Sequence, residues 1–341
     1  MADPPGVPGR ANRRLVLHQR ADHVREAAHV VEEPVRQPGP GEVLVRHRWA
    51  GVNPLFDREV CRDRVPYRRV EPGQGLGVEA VGTVEAVGAG VALAPGAAVA
   101  TTGFGTGYQL WQTLPETDAV PVPDATPEVL TLVLSGASAL VALEAVARVR
   151  TGETLAVSAA AGGLGHLAVQ VAGRLGARVV AVCGGPEKGA LVRDLGADAV
   201  IDYRAEDLAG ALAREAPDGL DVALDSVGRG VYDAFLGALA PRGRLVVIGR
   251  AAEFAAGESE VVCRPRLPEA LYWKGASVHA FMNAQWPGRQ PDARARLFRW
   301  HADGDLRVLV DPEPFVGLAA VADAADWVFT RRNRGKVVVR L

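Results

Sequence analysis

Thr154-Leu155-Ala156-Val157-Ser158-Ala159-Ala160-Ala161-Gly162-Gly163-Leu164-Gly165 is the stretch on which the fold of this chain turns. Residues 154–158 are a short apolar run, as a strand buried on both faces requires. Residues 164–175 then follow a helical pattern that stops at Gly176, where glycine accepts the left-handed conformation past a helix end. A strand, a glycine turn and a helix in that order are the context of a dinucleotide-binding fingerprint. Ala160 holds the first glycine position, Gly162 the second and Gly165 the third. Gly162 lets backbone approach a diphosphate, and Gly165 lets the helix pack closely on the strand. Gly163, Leu164 and the helix N-terminus offer free N–H groups and partial positive charge to the phosphates.

The second strand of such a unit carries the choice of dinucleotide at its tip. Here the tip reads Val182-Cys183-Gly184-Gly185-Pro186-Glu187-Lys188. No carboxylate stands there to hold the ribose hydroxyls of NADH, since Glu187 falls later, at the start of a helix. Lys188 can neutralise a 2′-phosphate, and Gly184 leaves room and a free amide for it. These residues point to NADPH.

Outward from this unit the rhythm repeats. Residues 178–182, 199–202, 220–225 and 244–248 read as strands, and 187–195, 205–215 and 231–239 as helices. Apolar strands alternating with helices predict a parallel sheet covered on both faces. Upstream, 128–150 is helix-forming sequence. Before it, 13–18, 42–49, 78–87 and 97–101 are short strands punctuated by Gly and Pro, which suggests a compact, partly closed barrel. Gly82 inside a strand marks a bulge or a close backbone approach. Past residue 268 come a helical stretch at 289–302 and strands at 312–318 and 336–341, too little to form a domain alone. The expectation is an α/β protein of two domains: a partly closed barrel over 13–127, a doubly wound cofactor domain over 128–267, a return to the barrel over 268–341, and a frayed tail over 1–12.

Composition agrees with a globular protein. The chain has 341 residues, 48% hydrophobic and 23% charged, with net charge −2. A balance this even gives nucleic-acid binding no support. No stretch approaches about 18 uncharged apolar residues, so no membrane span is expected, and the Pro-, Gly- and Arg-rich N-terminus lacks the apolar core of a secretion signal. The three cysteines, Cys61, Cys183 and Cys263, form neither a zinc motif nor a disulfide framework. A reducing cytoplasm fits.

Longer stretches carry a family resemblance. Ala159 to Gly165, Leu195-Gly196-Ala197-Asp198-Ala199-Val200-Ile201-Asp202-Tyr203 and Asp225-Ser226-Val227-Gly228 resemble the cofactor domain of the zinc-independent quinone oxidoreductases of the medium-chain dehydrogenase/reductase superfamily. Gly51-Val52-Asn53-Pro54, Gly75-Leu76-Gly77-Val78-Glu79-Ala80-Val81-Gly82, Ser135 to Ala139 and Gly335-Lys336-Val337-Val338 resemble its GroES-like catalytic barrel, the segment before the cofactor domain, and its closing strand. The text around 130–165 also resembles the prostaglandin reductase branch. The resemblance implies a GroES-like barrel plus a Rossmann domain. It places Tyr203 against the adenosine phosphate and Ser138 near the nicotinamide, and it adds Val227, Gly249, Phe281 and Lys336 to the cofactor contacts. Zinc-dependent relatives carry His-Glu where this chain has Val78-Glu79, and cysteine where it has Asn53. Neither Val nor Asn supplies the imidazole or thiolate that zinc needs.

Without a metal to polarise an alcohol, hydride transfer to a quinone or an α,β-unsaturated carbonyl is the expected chemistry, aided by a donor to the developing enolate. Asn53, Tyr67 and Ser138 are the candidates. Relatives place an Asp three residues after the Asn, where Phe56 stands here and Asp57 follows; the loop up to Gly75 is long and rich in arginine, with Arg62, Arg64, Arg68 and Arg69. That departure keeps open a dedicated biosynthetic enoyl reductase acting on one complex, carrier- or CoA-bound intermediate. A crystallin-like or RNA-binding role without catalysis is the remaining alternative. The resemblance also implies a homodimer or a tetramer paired through the cofactor-domain sheet, with 276–281 as the candidate edge strand and a homodimer as the expectation.

Overall fold

In the computed structural model of the chain, the residues described are 11–252 and 267–341. Most of the expected tail and Cys263 lie outside them; Ala11 and Asn12 do not, and open the first strand. The chain divides into two compact units. One comprises residues up to Leu134 together with Val310–Leu341, and the other is Ser135–Leu309.

The first unit is antiparallel. β1 (Ala11–Leu17) pairs with β2 (Ala28–Pro34) as a ribbon. β3 (Glu42–Gly51), β4 (Glu79–Val87), β5 (Ala98–Thr102), β6 (Trp111–Pro115), β7 (Ala119–Pro121) and β14 (Val338–Arg340) form a second sheet in the order β14-β3-β4-β5-β7, with β6 also on β3. Alternation in β3 sends Val43 and Val45 inward to meet Val84, Val99 and Leu114. Gly82 serves the close approach its position suggested. A Cβ there would stand 2.1 Å from the Arg46 carbonyl oxygen, and the β3–β4 register shifts beside it. A second cluster joins Leu15, Leu17, Val52, Leu76 and Tyr108 to the helix Val321–Phe329.

Two local expectations are corrected in this unit. Asn53 is followed by a helix, Pro54–Cys61, where a loop was expected. Proline at the first helical position costs no hydrogen bond, and the helix buries Asp57, Val60 and Cys61. Residues 312–318 form no strand; only a bridge from Val316 to Arg340 reaches β14.

The second unit holds β8 (Thr154–Val157), β9 (Arg178–Cys183), β10 (Ala199–Asp202), β11 (Leu220–Asp225), β12 (Leu239–Val247) and β13 (Ser277–Ala280). All pair in parallel, in the order β10-β9-β8-β11-β12-β13. This is the doubly wound order. Its switch point lies between β8 and β11, the crevice where such sheets bind ligands. The unit runs on to Leu309, beyond the expected end at 267, because β13 extends the sheet at its edge and Arg296 of the helix Gln290–Ala302 pairs with Glu144 at 2.6 Å.

The helical run Pro127–Ala147 corrects the expectation about apolar stretches. It is 21 residues long with a mean hydropathy of 2.0, enough by length and composition to cross a membrane. However, 72% of that stretch is buried inside the protein, as in the core helix of a globular protein. Leu132–Gly136 and Ala142–Ala147 within it are π-helical and flank Ala137–Val141, which carries Ser138. Such turns recur at functional sites.

Candidate functional site

The second unit presents the glycine turn at the tip of β8. Ala159 takes a left-handed φ of 47°. Its carbonyl accepts from the Gly162 amide at 2.8 Å, so the turn doubles back on itself. A Cβ on Gly165 would stand 2.2 Å from that carbonyl oxygen, so glycine is obligatory there, while Gly162 is tight at 3.1 Å. Among the described residues, the amides of Gly163, Leu164 and Gly165 donate to no acceptor. Three orphan donors where the helix Gly165–Arg174 begins are a seat for a phosphate group.

The switch point is locked by a buried carboxylate. Asp225 accepts from Ser158 Oγ at 2.7 Å and from the amides of Val227 and Gly228 at 2.9 and 3.0 Å. Ser158 Oγ in turn accepts from the Ser226 amide at 2.9 Å. The tips of β8 and β11 are thereby tied together. Gly249 lies close by, where a Cβ would stand 3.0 Å from the Ser226 carbonyl oxygen. Phe281 follows β13, is buried, and donates its amide to Val247 at 2.9 Å.

At the tip of β9, Gly184 makes room for its neighbours. A Cβ there would stand 2.7 Å from Arg204 Nε and 3.0 Å from the Tyr203 ring. Arg204 lies over that ring at 5.9 Å. The structure thus brings Gly184, Tyr203 and Arg204 together on the strand tips, with Lys188 in the first turns of the helix Pro186–Asp194. Arg204 escaped the sequence reading, although it directly follows Tyr203. Asp202 is held below the usual carboxylate range, first by the Gly185 amide at 3.0 Å. Its oxygen also takes the Arg204 amide at 3.0 Å, so this carboxylate staples the two loops together.

His166 is another residue whose role only the structure reveals. Its Nε2 accepts from the Leu309 amide at 3.0 Å, so the proton sits on Nδ1, which donates to the Gly162 carbonyl at 2.8 Å. Burial pushes the imidazole down to about 4. One helical turn on, the Gln170 amide clasps both the N–H and C=O of Arg307 at 2.8 Å each.

The first unit holds a buried polar cluster. Asn53 Nδ2 donates to Glu79 Oε1 at 2.8 Å, and Lys336 Nζ reaches Asn53 Oδ1 at 2.9 Å and Glu79 Oε1 at 2.6 Å. Glu79 is wholly buried and seated against Gly51, where a Cβ would stand 2.3 Å from its carboxylate oxygen. Lys336 was grouped with the cofactor contacts; here its ammonium is engaged with Asn53 and Glu79. Asn53 uses both ends of its amide in the same cluster, so it orients the site more readily than it donates to a substrate. Asp57 lies beneath, accepting the Tyr108 hydroxyl at 2.6 Å. Burial pushes its carboxyl up to about 7, against the opposing pull of that hydroxyl, the Asn53 backbone and Lys336.

The other two donor candidates fall in different units. Tyr67, in the first, is half-exposed, and desolvation holds its phenol above the usual value, so it stays protonated. Ser138, in the second, is buried in the helix between the two π-helical turns. No group of three or more His, Cys, Asp or Glu able to hold a metal ion occurs among the described residues.

Comparison with known proteins bears on both units. Residues 39–124 match the alcohol dehydrogenase GroES-like domain, and 163–287 match the zinc-binding dehydrogenase family. Prostaglandin reductase-3 of Mus musculus is 34% identical over 97% of this chain and 90% of its own. A quinone oxidoreductase of Pseudomonas aeruginosa is 32% identical over 89% of this chain and 92% of its own. Among solved structures, Escherichia coli quinone oxidoreductase complexed with NADPH superposes with a TM-score of 0.82 at 25% identity, covering 96% of this chain and 100% of that one.

Proposed function

The chain belongs to the medium-chain dehydrogenase/reductase superfamily, in its zinc-independent quinone oxidoreductase branch, and on that premise we propose that it is an NADPH-dependent reductase of quinones or α,β-unsaturated carbonyls. The observation that carries this reading is the pair of seats on one sheet: three orphan amides at the glycine turn, and a glycine-floored group of Tyr203, Arg204 and Lys188 one strand away. The first suits a diphosphate. The second suits a ribose 2′-phosphate, because it offers cations and no free carboxylate.

NADPH, when bound, supplies the hydride. The protein's own work is positioning and hydrogen-bond donation. The amides of Gly163, Leu164 and Gly165 hold the diphosphate, with His166 bracing the turn from behind. Lys188, Tyr203 and Arg204 hold the 2′-phosphate. Val227, Gly249 and Phe281 line the remaining strand tips. Tyr67 and Ser138 are the candidate donors of a hydrogen bond to the carbonyl oxygen as enolate charge develops. The Asn53–Glu79–Lys336 cluster fixes the backbone at Gly51 to Pro54. A homodimer paired along β13 belongs to the same reading. The exposed Tyr272 and Trp273 beside that edge strand support it. So does a cytoplasmic location, for which the buried free thiols Cys61 and Cys183 speak.

The test is NADPH oxidation with a panel of quinones and enones, followed by absorbance, with NADH in parallel. Turnover is expected with NADPH and is expected to be much weaker with NADH. Silence across the panel, or a preference for NADH, sinks the proposal.

A further inference from the structure

We propose that an arginine-lined cavity where the parallel sheet begins, at the end of β8 away from the glycine turn, is a second anion site that takes a phosphate monoester. The inference goes beyond the reductase reading and does not rest on it. The cavity measures about 630 Å³, ample for a small organic ligand. Arg148 and Arg150 reach it from the segment that leads into β8, and Arg242 and Arg244 from β12. The glycine turn follows β8, so the whole strand, roughly 13 Å long, separates this cavity from the diphosphate seat. The backbone presents the arginines by design of the fold. Arg148 ends the helical run Pro127–Ala147 with a left-handed φ of 52°, its N–H donated to the Leu143 carbonyl. β12 bulges between the pairs Leu220–Leu239 and Val222–Arg244, and Arg242 stands on that bulge with a left-handed φ of 64°, its N–H donated to the Lys274 carbonyl at 2.7 Å. Residues with a Cβ rarely adopt that conformation, yet arginine holds it at both places.

Charge narrows the ligand. Two carboxylates line the same cavity, and both are committed. Glu153 takes the Arg244 guanidinium on its two oxygens, at 2.8 and 2.6 Å, and the Arg150 amide at 2.8 Å. Asp221 takes the Thr154 amide at 2.9 Å. Arg244 gives its other N–H groups to the Ala147, Arg148 and Asp221 carbonyls. Arg150 acts on Glu153 through its field alone. The side chains of Arg148, Arg150 and Arg242 make no ion pair or hydrogen bond among the described residues, and all three are exposed. His279, also on the wall, meets Ser277 Oγ at 2.9 Å. Four guanidinium groups against two carboxylates leave two positive charges unmatched. A phosphate monoester, with about −1.5 to −2 near pH 7, balances them, and guanidinium N–H groups suit its oxygens. A monocarboxylate leaves one charge over. Val146, Pro241 and Trp286 add apolar surface to the cavity, which favours an ester with an apolar or flat group over bare phosphate.

The experiment is calorimetry on the full-length protein saturated with NADPH, so that the cofactor fills its own phosphate seats. Phenyl phosphate, inorganic phosphate and benzoate are titrated in turn into the parent and into a double variant, Arg148→Gly with Arg242→Gly. Glycine suits the left-handed backbone at both positions, so the variant is expected to fold. Arg148→Asn with Arg242→Asn, which also accepts that backbone, is the second variant. Phenyl phosphate is expected to bind the parent about tenfold more tightly than either inorganic phosphate or benzoate. Both double variants are expected to weaken phenyl phosphate binding by at least about tenfold and to leave NADPH affinity unchanged. Phenyl phosphate affinity that survives both substitutions overturns the proposal, as does the absence of binding by the parent. Inorganic phosphate or benzoate bound as tightly as phenyl phosphate overturns the assignment to a phosphate monoester. None of these measurements reads turnover, so the reductase reading stands or falls apart from them.

Discussion

At the scale of single residues, Gly165 and Asp57 have the sharpest consequences. A methyl group at Gly165 meets the Ala159 carbonyl at 2.2 Å, and backbone cannot give way as a flexible side chain can. Gly165→Ala is expected to cost roughly 1–3 kcal/mol of stability by overpacking and to weaken NADPH binding at least about tenfold by displacing the turn. Denaturant titration and calorimetry check the two effects separately. Asp57 has the opposite character, a carboxyl pushed up to about 7 by burial. The folded protein keeps a proton there that the unfolded chain releases as pH rises above about 4. Rising pH therefore weakens folding between about 4 and 7, by roughly 4 kcal/mol at most. Asp57→Asn keeps an acceptor for Tyr108 and removes the titration. The variant should be more stable than the parent at about pH 8, with a difference that shrinks toward about pH 5; a constant difference would count against the buried acid. The buried acid is Asp57, while Phe56 beside it packs on the Phe104 ring.

At the scale of elements, the helix Gly165–Arg174 links two features. Its first turn offers amides to an anion, while His166, Gln170 and Arg174, at four-residue spacing on one face, hold residues 305–309. The periodicity of this helix is plain in sequence, but its partner lies more than a hundred residues away and has no pattern that announces it. Gln170→Ala leaves the Arg307 N–H and C=O to water, because this stretch is exposed, so the expected loss is modest, about 1 kcal/mol by urea denaturation. No loss would mean that the clasp adds nothing to the helix. The helix Pro54–Cys61 went unread for a related reason. Eight residues make only about two turns, too short a run for an apolar period to declare a helix. Burial against the rest of its unit, including Arg58 over Phe329 at 4.5 Å, stabilises what propensity alone does not.

At the scale of the whole molecule, buried histidines govern the response to acid. His47 donates from Nδ1 to the Gln109 carbonyl at 3.0 Å and takes the Thr101 hydroxyl on Nε2 at 3.1 Å, and burial pushes it down to about 4, as it does His166. Both are neutral when folded and protonate on unfolding. Their stabilisation is complete above about 6.5 and is lost as pH falls toward about 4, up to roughly 3 kcal/mol each. Asp57 works in the other direction over much the same window, so two protons oppose one. Stability is expected to fall on acidification from about 6.5 to 4, with a net slope near one proton. Urea midpoints across that range check it, and a rise on acidification would refute it. Sequence alone determined the parallel sheet and the glycine turn, because apolar strand runs, helix period and glycine geometry are local and repeat along the chain. Tertiary structure alone decided that Lys336 and Glu79 commit the Asn53 amide and that His166 braces the turn. Each of these depends on which distant side chains burial forces together, and burial is a property of the packed chain.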